Sequence, residues 1–293
     1  MLTHRLVQPD NPSRTVVLGP GFIGGAAADA LERDGAIVER WGRSTVDLLA
    51  DGAAERLANK LRADDVLVVV SAEAPCKNGA MLERNIAMMN SVVDALAARP
   101  VEHVIYVSSD AVYRDSLEGL TEDSCAEPGS LHGVMHLARE RLLIDDAGLP
   151  LGILRPTLVY GAADPHNGYG PNRFRRQAMA GDTIILFGEG EERRDHVLVD
   201  DLADLLARMV RRRSVGILNG ATGDVHSFRA VAEMVISHVT APPAIAGSPR
   251  SGPMPHNGYR PFDPMATLRA FPDFRYTPLV EGLALTHRRA AGD

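Results

Sequence analysis

Arg14-Thr-Val-Val-Leu-Gly-Pro-Gly-Phe-Ile-Gly24 is an apolar run that breaks into glycines at a fixed spacing. Arg14 to Leu18 has the length and β-branched content of a buried strand, and Phe22 to Asp34 suits a helix. Between them, Gly19-x-Gly21-x-x-Gly24 puts glycine where a chain bends sharply, lets a ligand approach its backbone and packs a helix start on a strand end. Such a turn offers free N–H groups and the positive end of a helix dipole to a pyrophosphate.

The alternation continues beyond this turn. Strands are predicted at Ala36 to Arg40, Asp65 to Val70, His103 to Val107 and Leu151 to Leu154, with helices at Asp51 to Ala63, Met81 to Ala98 and Leu131 to Ala147. Short apolar strands separated by helices imply an α/β protein with a Rossmann-like, doubly wound parallel sheet covered on both faces. Residues 1–13 read as a loose N-terminal arm, 14–165 as a dinucleotide-binding domain that receives return strands from later in the chain, and 166–293 as a smaller C-terminal substrate lobe. The Pro- and Gly-rich stretch Ala241 to Pro264 reads as a loop.

Composition limits the partners. The chain has 293 residues, 45% hydrophobic and 24% charged, with a formal charge of -7. No basic excess is available to displace counterions from a polyanion, so no nucleic acid partner is expected. The apolar run Val66 to Ala72 is far shorter than the ~20 residues that cross a bilayer, so the expectation is a soluble, cytoplasmic protein without a membrane partner. Cys76 and Cys125 are too few for a disulfide framework and read as idle thiols.

The choice between NAD and NADP falls to the segment after the second strand, Glu39-Arg40-Trp41-Gly42-Arg43-Ser44. A carboxylate there would accept from ribose hydroxyls, whereas arginines would pair with an extra phosphate. Arg40, Arg43 and Ser44 favour NADP, and Glu39 is the residue that could reverse the choice. Trp41 is either a cover for an adenine or a surface loop residue.

Three further segments join the glycine turn: Tyr106-Val-Ser-Ser-Asp-Ala-Val-Tyr113, Leu154-Arg-Pro-Thr-Leu-Val-Tyr-Gly161, and Leu186-Phe-Gly-Glu-Gly through Arg193-Arg-Asp-His-Val-Leu-Val-Asp-Asp-Leu202. In order and spacing the chain resembles an extended short-chain dehydrogenase/reductase of the nucleotide-sugar epimerase/dehydratase group over about residues 14 to 290, with Phe262 to Leu285 similar to the family's tail. The resemblance implies a nucleotide-sugar substrate and a homodimer. Gly21 and Gly24 match the later glycines of the family's turn, and Leu18 stands in place of its first, so Gly19 takes over the bend. Phe22, Ile23, Ser71, Ala72 and Pro156 fall where the family meets its cofactor. Ser109 matches the catalytic serine, or else merely caps its strand. Asn172 and Arg194 match positions that touch the sugar-nucleotide phosphates, which suits a planar guanidinium; a surface ion pair is the plainer role for Arg194.

The pattern breaks at its catalytic centre. Where the family has Tyr-x-x-x-Lys, this chain has His132-Gly-Val-Met-His136, followed by Glu140. Lys60 and Lys77 are its only lysines, and neither lies four residues after a tyrosine. An imidazole of reference pKa ~6.5 can exchange protons without a lysine to tune it. His132 is therefore a candidate acid/base in an NAD(P)-dependent oxidoreductase, epimerase or dehydratase acting on a nucleotide-activated sugar or related polyol, with Ser109 polarising the reacting oxygen. His136 is a poor copy of a lysine. The alternative is a ligand-binding member of the fold without hydride transfer, either a regulator or a non-redox isomerase or lyase. His132, His136 and Glu140 share one helical face, but the Glu of a His-Glu-x-x-His site is missing and no metal is expected. Asp200-Asp201 reads as a helix N-cap and Arg211-Arg-Arg213 as a solvated run. His166, His196, His226 and His256 have no partner that sequence identifies.

Overall fold

The apolar runs predicted as strands lie side by side in the computed structural model, which describes residues 2–292. The first part of the chain runs β1 (Thr3–His4), β2 (Arg14–Leu18), α1 (Phe22–Arg33), β3 (Val38–Trp41), α2 (Ala53–Lys60), β4 (Asp65–Val69), α3 (Gly79–Ala98) and β5 (His103–Val107). It continues with α4 (Leu131–Asp146), β6 (Leu151–Pro156), β7 (Leu158–Tyr160), α5 (Pro171–Ala180), β8 (Ile184–Phe187), β9 (Arg193–Leu198), α6 (Val199–Arg211) and β10 (Ser214–Gly220). It ends through β11 (Val225–Ser227), α7 (Phe228–Ile236), β12 (Ile245–Ser248), β13 (Tyr259–Arg260), α8 (Met265–Ala270) and α9 (Leu279–Ala291).

The central sheet has seven strands in the order β1-β10-β6-β5-β4-β2-β3, all parallel except β1. Strand periodicity explains the two covering layers. Leu67 and Val69 pack with α2, α3 and α4, while Val66 and Val68 on the same strand pack with α1 and α6. From β2 the chain passes through α1 to β3 and then through α2 to β4, on the far side of β2. The crossovers on either side of β2 thus part at the carboxyl ends of β2 and β4, leaving a crevice there.

A second core joins Tyr160, Phe174, Leu186, Phe228 and Leu283 from β7, α5, β8, α7 and α9. In this lobe β9 pairs with β7, β11 and β13. Helix α6 and strand β10 then return to the large sheet. The segment resembling a family tail is shared, since Phe271 and Phe274 join the core under α1 and α6 while Leu279 and Leu283 join the lobe.

Four sequence expectations need correction. The arm read as loose over 1–13 is tied down along residues 3–10: Thr3 and His4 pair with Val215 and Ser214, and the Leu6 and Asp10 amides donate to Arg212 and Arg211 carbonyls. Arg211 to Arg213 is accordingly no solvated run, since Arg212 donates to Val7 O, Arg213 to Asp10 O and to Glu102, and Arg211 to Asp34. The supposed loop Ala241 to Pro264 carries β12, paired with β8, and β13, paired with β9. Asp200 and Asp201 lie inside the first turn of α6, and Asp201 accepts from the Thr277 amide and hydroxyl, which ties the C-terminal segment to α6. No helix is long and apolar enough to cross a membrane among the described residues.

Candidate functional site

The glycine turn has little room for any other residue. Gly19 has φ +99°, and a Cβ there would stand 2.4 Å from the Ser71 amide nitrogen at the end of β4. At Gly24 a Cβ would meet the Gly19 carbonyl oxygen at 2.2 Å, so α1 begins pressed on the turn. Gly21 instead faces open space, with nothing within 4 Å of where its Cβ would be. It is also the N-cap of α1 and supplies no capping side chain, which leaves the first-turn N–H groups free. These are the features a pyrophosphate requires, and the turn fits a dinucleotide.

The turn forms one wall of a crevice of about 750 Å³ at the carboxyl ends of the strands. Gly19, Gly21, Phe22, Ile23, Ser71, Ala72 and Pro156 line it, and so do Ser109, His132, His136 and Asn172. Gly24 acts from behind, through the steric limit just described. Arg40, Ser44 and Arg194 do not reach the lining.

Strand alternation accounts for the arginines. Val38 and Arg40 face α1, where Arg40 pairs with Asp29 and Glu32 at 2.7 Å each. Glu39 and Trp41 face the opposite layer: Glu39 accepts from Arg14 Nη1 at 2.8 Å and from Trp41 Nε1 at 2.9 Å. Trp41 is buried in the core and touches the crevice from there, so it is not a surface loop residue. The carboxylate that would have favoured NAD is engaged, and Arg43 alone of the two arginines lines the crevice.

Ser109 follows β5 and caps the short 3-10 turn Asp110–Val112, its Oγ accepting from the Ala111 amide at 3.1 Å. Helix α4 packs onto that turn without a spacer, because a Cβ at Gly133 would stand 2.0 Å from the Ala111 carbonyl oxygen. This contact fixes the start of α4, and with it His132, against the turn that follows Ser109. Ser130 caps α4 by accepting from the Gly133 amide. The Cys76 amide donates to His132 Nδ1 at 3.4 Å, a long contact. Burial lowers the His132 pKa, and Asp110 acts against that shift.

His136 lies one turn further, its ring edge-on to His132 at a centroid distance of 4.7 Å. The Tyr106 hydroxyl is 2.7 Å from its Nδ1. Burial pushes its pKa well below 6.5, and His132 and Arg139 push the same way, so His136 is neutral. It therefore offers no cation to the crevice near neutral pH.

Sequence reasoning missed the cation that does lie nearby. Arg139 is fully buried, donates to Ser71 O at 2.7 Å and sits 5.2 Å over the Tyr106 ring. Its one sequence signal is an arginine one turn after His136 on the buried face of α4. Glu140 accepts from Arg155 through Nε at 2.9 Å and Nη2 at 2.5 Å, and from Ser108 Oγ at 2.5 Å. Both its oxygens are occupied in tying α4 to β5 and β6.

The substrate lobe adds Asp164, His166, Tyr169 and His196 to the lining. Asn172 Oδ1 accepts from the Gly161 amide at 3.0 Å, an arrangement that closes the turn after β7. His196 is 3% exposed with neither ring nitrogen hydrogen-bonded, and burial pushes it down to about 3. His226 pairs with Asp224 and His256 with Asp115, both away from the crevice. Cys76 is buried and Cys125 exposed, both free.

The model of the NAD dependent epimerase/dehydratase family matches residues 15–220. The chain belongs to that family. A UDP-glucose 4-epimerase of Mycolicibacterium smegmatis is 29% identical over 234 residues, covering 67% of this chain and 72% of the relative. The chain spans only 38% and 48% of the length of two other curated relatives that it matches. Among solved structures, MoeE5 in complex with UDP-glucose and NAD superposes with a TM-score of 0.79 at 24% identity, covering 96% of this chain and all of that one. A GDP-L-fucose synthetase from Naegleria fowleri bound to NADP gives 0.79 at 16% identity, over 98% of this chain and 97% of the other. The fold is thus the Rossmann-like one of the extended short-chain dehydrogenase/reductases.

Proposed function

We propose that the crevice binds a nicotinamide dinucleotide, NADP in preference to NAD, and that the chain is an epimerase, dehydratase or reductase acting on a nucleotide-activated sugar or related polyol, with His132 as its acid/base. One observation carries this reading: His132 and Ser109 line the same crevice as the glycine turn. Relatives named as UDP-glucose 4-epimerases and structures holding NAD or NADP support the cofactor class. The free Arg43 and the engaged Glu39 support NADP.

Gly19, Gly21, Phe22 and Ile23 would hold the pyrophosphate through backbone N–H groups, Ser71, Ala72 and Pro156 would flank the rest, and Arg43 would meet the extra phosphate. The bound nicotinamide would supply hydride exchange. Ser109 orients the reacting oxygen. His132, neutral above its lowered pKa, accepts the proton of a hydroxyl as its carbon is oxidised and returns it on reduction. The Cys76 contact is long, and a ring that releases it presents either nitrogen. An imidazole that is already unprotonated near neutral pH dispenses with the ammonium that a phenol would need. Asn172 and Arg194 remain proposed substrate residues on resemblance, and a homodimer is proposed on the same ground.

A second reading, a ligand-binding member without hydride transfer, is favoured by the neutral His136 and by the absence of any lysine from the crevice lining among the described residues. Titration with NADPH and NADH, followed by hydride exchange from labelled NADPH, separates the two. The proposal expects His132→Ala to bind NADPH as the parent does and to lose exchange by about a hundredfold or more. Undiminished exchange in that variant removes His132 from the mechanism, and binding without exchange in the parent favours the second reading.

A further inference from the structure

The substrate end of the crevice has no free cation to meet a diphosphate. Among the described residues, Arg43 is the one arginine or lysine in the lining, and it lies beside the glycine turn. Two arginines that reach Asp110, the residue after Ser109, are instead spent on carboxylates of the protein itself. Arg260 is 1% exposed; its Nε donates to Asp110 Oδ2 at 3.0 Å, its Nη1 to Asp115 at 2.6 Å, and its Nη2 to the Asp110 carbonyl at 2.6 Å. Arg194 stands opposite Arg260 in the β9–β13 register, 3.7 Å from the same Asp110 carboxylate and 3.3 Å from Glu192.

Asp110, the residue directly after Ser109, therefore holds two guanidinium groups at the edge of the reaction centre. A diphosphate brought to Arg194 would have to displace that carboxylate or bear its repulsion at close range in a poorly solvated place. The N-terminus of α5 faces the crevice at Pro171 and Asn172, but a helix end is equivalent to only about half a charge, and Asn172 Oδ1 is already committed to Gly161. What the substrate end does present is polarity without a cation: the Asp164 carboxylate and the side chains of His166 and Tyr169. Such groups read hydroxyl and carbonyl oxygens.

We propose that the substrate carries no diphosphate, that it is an unactivated polyol or its carbonyl counterpart, and that Asp110 is the residue that excludes nucleotide sugars. This narrows the substrate named above and rests on the crevice being a joint cofactor and substrate site.

The test is calorimetric titration of the full chain with UDP and UDP-glucose, with and without NADPH. The expected result is no saturable UDP binding up to millimolar concentrations. Asp110→Asn keeps the hydrogen-bonding shape and removes the charge, and should gain UDP affinity by about tenfold or more, the worth of one charged contact. Arg194→Gln added to that variant should abolish the gain. Tight UDP binding by the parent chain that Arg194→Gln weakens overturns the proposal. If Asp110→Asn fails to fold, the parent titration still decides. NADPH serves as the separate control: failure to bind it sinks the cofactor reading, whereas UDP binding alongside it sinks only the exclusion by Asp110.

Discussion

The two ends of the crevice are polar for different reasons. At the glycine turn the polarity is backbone, N–H groups exposed because Gly19, Gly21 and Gly24 leave no side chain in the way. At the lobe end it belongs to side chains such as Asp164, His166 and Tyr169, and the groups around them are already answered: Arg194 and Arg260 by Asp110, and Asn172 by the Gly161 amide. A backbone site announces itself in sequence, since only glycine satisfies it. A side-chain site does not, because an arginine in the sequence carries no sign of the carboxylate that will hold it.

The sharpest way to break the backbone end is Gly24→Ala. The added methyl would stand 2.2 Å from a carbonyl oxygen that is itself part of the turn, so the turn and α1 cannot both keep their places. The expected cost is about 5 kcal/mol or outright failure to fold, with cofactor binding lost. Urea unfolding and NADPH titration would read it. A variant of unchanged stability that still binds NADPH would show that α1 is not pinned to the turn.

Strand assignments were readable for the same reason the glycines were: each depends on local residue types. β2 and β5 fall on their predicted ranges, and the helices shift by only a few residues where a cap decides. Asn78 accepts from the Met81 amide and starts α3 at Gly79, and Gly52, at φ +70°, delays α2 to Ala53. The failures share a cause as well. Arg40 was grouped with Arg43 although strand alternation sends them to different places, and Arg211 to Arg213 read as solvated although they clasp the N-terminal arm. Neither Arg139 nor the Tyr106 hydroxyl has a local signal of its role, since their importance comes from packing beneath His136. Pairing across more than a hundred residues, as between Asp110 and Arg260, has no local signature.

Acid sharpens the contrast at the lobe end. His196 has a folded pKa of about 3 against about 6.5 in the unfolded chain, because burial disfavours the imidazolium. Below pH 6.5 the unfolded chain takes up a proton that the folded chain refuses, so stability falls with pH through the window from about 6.5 to about 3. Between pH 7 and pH 5 the loss from this one residue is about 2 kcal/mol. His103, pushed down to about 4 by burial, adds to the same slope. Chemical denaturation at the two pH values should show His196→Phe losing less stability on acidification than the parent. Equal losses would mean that water reaches the ring and hydrates its charge.

The smallest effect belongs to Arg43, where the two ends of the argument meet: a side chain at the backbone end, exposed and without a hydrogen-bonded carboxylate among the described residues. The turn and α1 hold a pyrophosphate without it, so Arg43→Ala should leave NADH affinity within about twofold while weakening NADPH by about tenfold, the value of one charged contact to a solvent-exposed phosphate. Arg40→Ala, which removes a guanidinium already shared by Asp29 and Glu32, should change neither. Isothermal titration of both variants with both cofactors distinguishes a guanidinium that faces ligand from one that faces protein. A loss of NADPH discrimination in Arg40→Ala would mean that the α1 carboxylates release their arginine when cofactor binds, and that a paired side chain can still serve a site.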